Sequence, residues 1–370
     1  MSVLILRPED HRGLLTIEEG VRRMRTAFEE FARSPVVLSN PRTRTNTPEG
    51  LRMTVHQGVT PSLRAACASA RSELVQMTPG GLQKYPGRGR PVFVLFDSAT
   101  AELLMVMIGE PRPAGFEQFN AIAGFQTACA AAASTEIVAR PDARRVGVLG
   151  SGGQASFHLA CLSRVRPISE AVVYSPTEDH RMEFAETMEE LLGFPIRAVS
   201  HTNDVLDFAE ILLVCTNSNV PVLDGARLKP GAHVTSIVHS NKELLRAGLV
   251  PRMRQEIDDE TLRRSHLIVT TNKVQEELDE PEILFGAAQR GVIRWEDVFE
   301  VSDLITGRVS PQPSWESDGI TFLHNPAGWG IGIAAFIRGY YDRAREQGVG
   351  VTLAGLDGLE LAYGLSQPEI

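Results

Sequence analysis

The chain has 370 residues, 43% of them hydrophobic and 22% charged, with a formal net charge of −9. That is the composition of an ordinary soluble protein long enough for two domains, and its acidic balance argues against nucleic acid, whose phosphates demand basic surfaces. Cys67, Cys129, Cys161 and Cys215 lie far apart among small or apolar neighbours, as buried thiols in a reducing compartment do, and neither a disulfide nor a metal centre is expected.

In chain order, the apolar residues 3–6 are too short for a signal-peptide core, so a cytoplasmic protein is expected. Residues 17–31 place apolar side chains at helical spacing, with Thr16 as N-cap and Glu18 and Glu19 in the first turn; Pro35 ends the pattern. The Pro- and Arg-rich residues 41–50 read as a strand followed by a turn. Residues 91–97 and 103–108, joined by a turn over 98–102, read as a β-hairpin. The N-terminal third is therefore mixed α and β with an antiparallel sheet. Residues 121–139 are Ala-rich and long enough to raise the question of a membrane span. Gln126, Thr127, Ser134, Thr135 and Glu136 interrupt them, which suits a tightly packed interior helix.

From residue 145 the rhythm changes. Arg145-Val146-Gly147-Val148-Leu149-Gly150-Ser151-Gly152-Gly153-Gln154-Ala155 is an apolar run ending in a glycine turn, with Gly150, Gly152 and Ala155 in G-x-G-x-x-A spacing. Gly150 permits the tight turn, Gly152 lets the backbone approach a pyrophosphate, and Ala155 lets the following helix pack on its strand. A second strand, 171–174, follows after about one helix, as a βαβ unit requires. Further strands are expected at 211–215, 233–238, 267–270 and 298–301, alternating with helices as in a doubly wound parallel sheet. A last helix begins near Gly330 and runs to Arg345, and residues 348–370 read as a loosely ordered tail. No serine sits in a G-x-S-x-G elbow, so hydrolase chemistry has no support. Asp303 and the pair Asp258 and Asp259 read as helix caps or surface charges.

Several stretches together resemble the ornithine cyclodeaminase and mu-crystallin family. They are Leu95-Phe96-Asp97-Ser98-Ala99-Thr100-Ala101-Glu102-Leu103-Leu104, Ile137-Val138-Ala139-Arg140-Pro141-Asp142-Ala143, the loop from Gly150 to Ala155, Cys215-Thr216-Asn217-Ser218-Asn219-Val220-Pro221-Val222-Leu223, and Leu228-Lys229-Pro230-Gly231-Ala232-His233-Val234. The resemblance implies an α/β fold in which a Rossmann domain (126–315) is joined to an α+β substrate and dimerisation domain (1–125 and 316–345), with 346–370 as a tail. It further implies a homodimer and NAD(P)-linked hydride transfer to or from a C=N carbon of an amino-acid-derived substrate. The alternatives are a cofactor-binding protein with little catalysis, an ornithine cyclodeaminase-type ammonia lyase, and a reductase whose substrate lacks a carboxylate.

The chain departs from the family pattern at polar positions. The family's Arg-Thr pair falls on Gln126-Thr127, which loses a bidentate clamp for a carboxylate. No lysine occurs in residues 64–73, where the family proton donor belongs; Ser69 is its counterpart and Arg71 the nearest cation. The family aspartate falls on residues 239–241, where Asn241 cannot act as a base, so ornithine cyclodeamination itself is not expected. The expected catalytic residues are therefore His239, whose ordinary pKa near 6.5 suits proton exchange, with Arg71 and Asn241. Arg44, Gln126, His324 and Asn325 are the expected substrate-binding residues. The cofactor is expected on Gly150, Ser151, Gly152, Gly153, Gln154 and Ala155, with Thr216, Asn217 and Ser218. At the end of the second strand Ser175 stands where an NAD site presents an acid, and Thr177 and Arg181 are placed to take a 2′-phosphate, so NADP is expected over NAD.

Overall fold

The computed structural model describes residues 2–34, 38–77, 83–121, 123–326 and 329–354, and two eight-stranded sheets organise them. The N-terminal sheet contains β1 (Ser2–Leu6), β2 (Ser39–Asn46), β3 (Leu51–Thr60), β4 (Ala65–Met77), β5 (Gln83–Arg88), β6 (Val92–Phe96) and β7 (Leu103–Ile108). Its eighth strand, β16 (Val351–Ala354), comes from the other end of the chain. The order is β16-β1-β7-β6-β4-β3-β2, with β5 beside β4. The expected hairpin is β6–β7, with Val92 opposite Ile108. The first long helix, Ile17–Arg33, starts as expected at Thr16, whose hydroxyl accepts from the Glu19 amide while the Glu19 carboxylate accepts from the Thr16 amide.

The second sheet is wholly parallel, in the order β10-β9-β8-β11-β12-β15-β13-β14. Its strands are β8 (Arg145–Leu149), β9 (Glu170–Tyr174), β10 (Ile196–Ala198), β11 (Ile211–Val214), β12 (His233–Ser236), β13 (Ser265–Thr270), β14 (Val298–Glu300) and β15 (Ile320–His324). Helices cover both faces, so β8, β11 and β12 have almost no exposed residue, and β11 reads in sequence as a continuous apolar run. The fold is the expected α/β class, a doubly wound parallel sheet beside an α+β unit.

Two expectations need correction. Residues 316–345 do not all join the N-terminal unit, because β15 is buried between β12 and β13 in the parallel sheet. The tail is not loose from residue 348 onward, because β16 pairs antiparallel with β1, Val3 opposite Leu353. Residues 355–370 of that expectation lie outside the described residues.

Two helices join the units. The Ala-rich helix, Gly124–Val138, is buried along nearly its whole length against the helix Gly153–Val165. The final helix, Gly330–Gln347, returns over the N-terminal sheet, packing on β3 and β4 and against the first long helix. At its start Gly330 lies against the Gln57 carbonyl and Gly58 against Gly330, so a Cβ on either glycine would collide with backbone. Ionic contacts make a second seam. Arg42 on β2 pairs with Asp279 of the helix Lys273–Asp279 and donates to the Pro326 carbonyl at 2.7 Å, while the Arg42 amide donates to Gln275 Oε1 at 2.7 Å. Among the described residues no helix is long and apolar enough to cross a membrane, no group of three or more His, Cys, Asp or Glu is placed to hold a metal, and all four cysteines are buried and free.

Candidate active site

The carboxyl end of β8 turns sharply at Gly150, whose φ of +108° lies in the region glycine alone adopts freely. A Cβ there would stand 2.5 Å from the Cys215 carbonyl oxygen, so the turn is pressed against the end of β11. Gly152 then caps the helix Gly153–Val165 without a side-chain cap, and a Cβ on it would meet no atom within 4 Å. The first amides of a 13-residue helix thus face open space, the arrangement that receives a phosphate. Ala155 is fully buried against its strand, as its place in the motif requires. Gly153 fits closely against the Asn120 carbonyl, which brings Asn120 and Ala121 alongside the phosphate loop.

At the end of β9 the Ser151 hydroxyl donates to Ser175 Oγ at 3.0 Å, and Ser175 Oγ donates to the Thr177 carbonyl. Arg181 lies buried beneath them, its guanidinium donating to the Ser175 carbonyl at 3.3 Å, with Glu178 3.6 Å away. No carboxylate occupies the strand end itself. Thr216, Asn217 and Ser218 border the same cleft past β11. Thr216 is committed to Glu256, the Ser218 hydroxyl closes a turn onto the Val220 carbonyl, and Asn217 is exposed.

A small cavity of ≈ 10 Å³ lies between the N-terminal sheet and the start of the Ala-rich helix, and His56, Ser69, Arg71, Phe93, Glu110 and Gln126 line it. Antiparallel register explains the grouping. His56 is opposite Ser69, Ser69 is opposite Phe93 and Thr54 is opposite Arg71, so these side chains share the face turned toward the parallel sheet. The Arg71 Nε and the Gln126 Oε1 are buried without hydrogen-bond partners, which is how groups that await a polar ligand look. Pro91 and Glu110 also border an open vestibule of ≈ 300 Å³ that carries Arg12, Arg88, Arg90 and Arg112. Gln126 further borders a small cavity of ≈ 20 Å³ with Thr127 and Asn325.

Several expected site residues are occupied by the fold. Asn241 is buried; its Oδ1 accepts from the Arg254 amide at 2.9 Å and its Nδ2 donates to the Arg252 carbonyl, so it anchors a loop and has no catalytic capacity to spare. His324 is fully buried between Glu276 (2.6 Å) and the Val238 carbonyl (2.9 Å), which uses both ring nitrogens and removes it from substrate binding. Asn325 donates to the Thr127 carbonyl at 2.9 Å and accepts from Thr271, tying the Ala-rich helix to the sheet. Arg44 faces the Ser240 carbonyl, Glu243 and Asp279, with its Nη2 buried and without a hydrogen-bond partner, and burial together with the adjacent Arg42 brings its pKa down to about 9; it bridges the two units rather than lining the inner cavity.

His239 lies in the strand-end loop as expected, but burial and the guanidinium groups of Arg44, Arg42 and Arg254 push its pKa well below 6.5. The ring is neutral at pH 7 and holds no proton for easy donation.

Glu256 carries no sequence motif and escapes a reading of the sequence. It is fully buried, and its two oxygens accept from the Thr216 amide (3.0 Å) and hydroxyl (2.7 Å), the Ser236 hydroxyl (2.7 Å), and the Ile237 and Val238 amides (3.1 and 3.2 Å). One side chain therefore fixes the ends of both β11 and β12, the two strands that frame the centre of the cleft.

The fold and cleft define a Rossmann-type dinucleotide-binding protein with a second, sheet-based unit closing over the strand ends. Residues 5–348 match the model of the ornithine cyclodeaminase/mu-crystallin family, and the chain belongs to that family. It is 21% identical to a Δ1-pyrroline-2-carboxylate reductase of Bacillus cereus over 349 residues, 94% of this chain and 98% of the relative. It is 25% identical to the ketimine reductase mu-crystallin of Mus musculus over 251 residues, 68% of this chain and 70% of the relative. Among solved structures, the Δ1-pyrroline-2-carboxylate reductase of Thermococcus litoralis, in complex with NADH and L-proline, superposes with a TM-score of 0.77 at 24% identity, covering 94% of this chain and 99% of that one.

Proposed function

We propose that this protein is an oxidoreductase that uses a nicotinamide cofactor, preferentially NADPH, to reduce the C=N bond of an amino-acid-derived imine, reversibly and as a homodimer. The observation that carries the proposal is the placement of Arg71. A guanidinium with an unpaired Nε lines the cavity beside the dinucleotide cleft, on the strand where the family lysine is missing. It supplies the positive charge for a substrate carboxylate that Gln126 cannot supply, and Gln126 offers an amide to a neighbouring polar atom. The vestibule arginines draw an anionic substrate toward a protein whose overall net charge is −9. Bound in the cleft, the cofactor supplies the hydride. The helix start at Gly152 and Gly153 would hold its pyrophosphate, and Arg71 would align the substrate.

Ser175 and Arg181 support the choice of NADPH, because the strand end presents hydroxyls in place of an acid, with the Arg181 guanidinium beneath them and Glu178 3.6 Å from it. Fluorescence titration is expected to give a Kd for NADPH at least about tenfold below that for NADH, a difference of about 1.4 kcal/mol; equal or reversed affinities contradict the preference. The four buried free thiols fit the reducing cytoplasm.

The homodimer rests on the open face of the N-terminal sheet. Val55, Ala70, Val92 and Ile108 form one row across β3, β4, β6 and β7, and Ala68, Val94 and Val106 form the next. Met53 and Leu74 beside them are 43% and 42% exposed. The final helix covers the opposite face, and a flat apolar sheet face of this extent calls for a partner. A second copy of the same face, packed sheet on sheet, meets that need with closed two-fold symmetry. Val94→Lys is expected to sediment as a monomer while the wild type sediments as a dimer; a wild-type monomer contradicts the assignment.

A further inference from the structure

Reduction of an imine needs a proton for nitrogen as well as a hydride for carbon. The lysine and aspartate that would move it are absent, His239 is neutral at pH 7, and Asn241 is fully engaged. His56, inside the cavity, is pushed well below its ordinary pKa by burial and by Arg71, so it too is neutral. One acid remains. Glu110 follows β7 immediately after Gly109, and among the described residues lining the inner cavity it is the sole carboxylate and Arg71 the sole guanidinium. It also borders the vestibule, so one side chain lines both the inner cavity and the vestibule.

We propose that Glu110 is the proton donor of the reaction, an inference that rests on the imine-reduction proposal above. An α-imino acid carries its carboxylate on the C=N carbon, so the group that protonates nitrogen must stand next to the cation that binds the carboxylate. Glu110 and Arg71 are that neighbouring pair. As hydride from the reduced nicotinamide forms the C–H bond, the π electron pair of C=N moves to nitrogen and forms an N–H bond with the Glu110 proton. The carboxylate left behind takes a proton from vestibule water, and NADPH has become NADP⁺. In the reverse direction the Glu110 carboxylate accepts the proton of the amine.

The surroundings favour the acid form. Burial raises the pKa of Glu110, and this outweighs the opposing pull of Arg71, the Ala123 amide, Arg112 and Arg88. From the vestibule side His11, Arg12 and Arg90 also face it, and from the cavity side His56. Glu110 Oε2 accepts from the Ala123 amide at 3.0 Å, where Ala123, at φ +51°, forms the N-cap of the Ala-rich helix. That bond aims the carboxyl into the cavity.

Glu110→Gln keeps an acceptor for the Ala123 amide, so the variant is expected to fold and to bind NADPH with a Kd within about threefold of wild type. With Δ1-pyrroline-2-carboxylate as the imine, its kcat is expected to fall about 10²- to 10³-fold at little-changed KM. The wild-type kcat for imine reduction should decline as pH rises through the Glu110 pKa, and the variant should lose that limb. Independently of turnover, an infrared pH titration of the wild type should contain a protonated-carboxyl carbonyl band that persists above the ordinary glutamate range and is missing in Glu110→Gln. Loss of kcat below about tenfold, an unchanged pH limb, or no difference in that band would overturn the assignment. A wild type that never oxidises NADPH with any imine, while keeping the carboxyl band, overturns imine reduction and with it the proton role.

Discussion

Replacing Glu256 by alanine is expected to destabilise the fold by roughly 3–5 kcal/mol, the range reached when a buried charged hydrogen-bonding hub is removed. Five donors, the Thr216 amide and hydroxyl, the Ser236 hydroxyl and the Ile237 and Val238 amides, would lose their acceptor together. Each buried donor left unpaired costs about 1–3 kcal/mol; partial relaxation and entering water keep the total below their sum. The damage is local to the strand ends of β11 and β12, so cofactor affinity should fall alongside stability. Denaturant unfolding followed by circular dichroism gives the first quantity and NADPH fluorescence the second. A loss of stability under about 1 kcal/mol would mean that the loops hold themselves without Glu256.

The second large effect is expected at Gly150. Gly150→Ala places a methyl 2.5 Å from the Cys215 carbonyl oxygen on a backbone at φ +108°. Neither backbone can yield without moving the phosphate loop or the end of β11. NADPH affinity is expected to fall at least about 100-fold, or about 2.7 kcal/mol, whereas Gly152→Ala, with open space around its Cβ, should weaken binding only through crowding of the phosphate itself. Binding of NADPH by Gly150→Ala at wild-type affinity would show that the turn is not held as described.

The parallel sheet was legible in the sequence because strands buried on both faces concentrate apolar residues, as in Ile211-Leu212-Leu213-Val214. The missed strand β15 shows the limit of that signal. Its Thr321 and His324 look like loop residues, yet Thr321 Oγ1 is satisfied by His233 and His324 by Glu276, partners distant in sequence. β4 was equally hard to read, since Ala65, Ala66, Ala68 and Ala70 carry little strand preference and only pairing with β3 and β6 fixes their register.

The site divides along the same line. Gly150, Gly152 and Ala155 act through local backbone geometry, so their spacing reveals them. The ordinary imidazole pKa makes His239 look fit for proton exchange, but the arginines that depress it come from residues 42, 44 and 254. Glu110, between Gly109 and Pro111, has no distinguishing neighbours; only the cavity formed with β4 and the Ala-rich helix gives it meaning.

Hydride transfer to carbon of a C=N bond is the central claim, and isotope transfer tests it most directly. NADPH carrying deuterium at C4 of the nicotinamide, mixed in single turnover with Δ1-pyrroline-2-carboxylate and with a cyclic imine that lacks a carboxylate, is followed by mass spectrometry of the amine. The account predicts one deuterium on the former imine carbon of the amino acid, with the carboxylate-free imine reacting at least about 100-fold more slowly for want of its contact to Arg71. Tight NADPH binding with no deuterium in either product would contradict it and leave a cofactor-binding protein in its place.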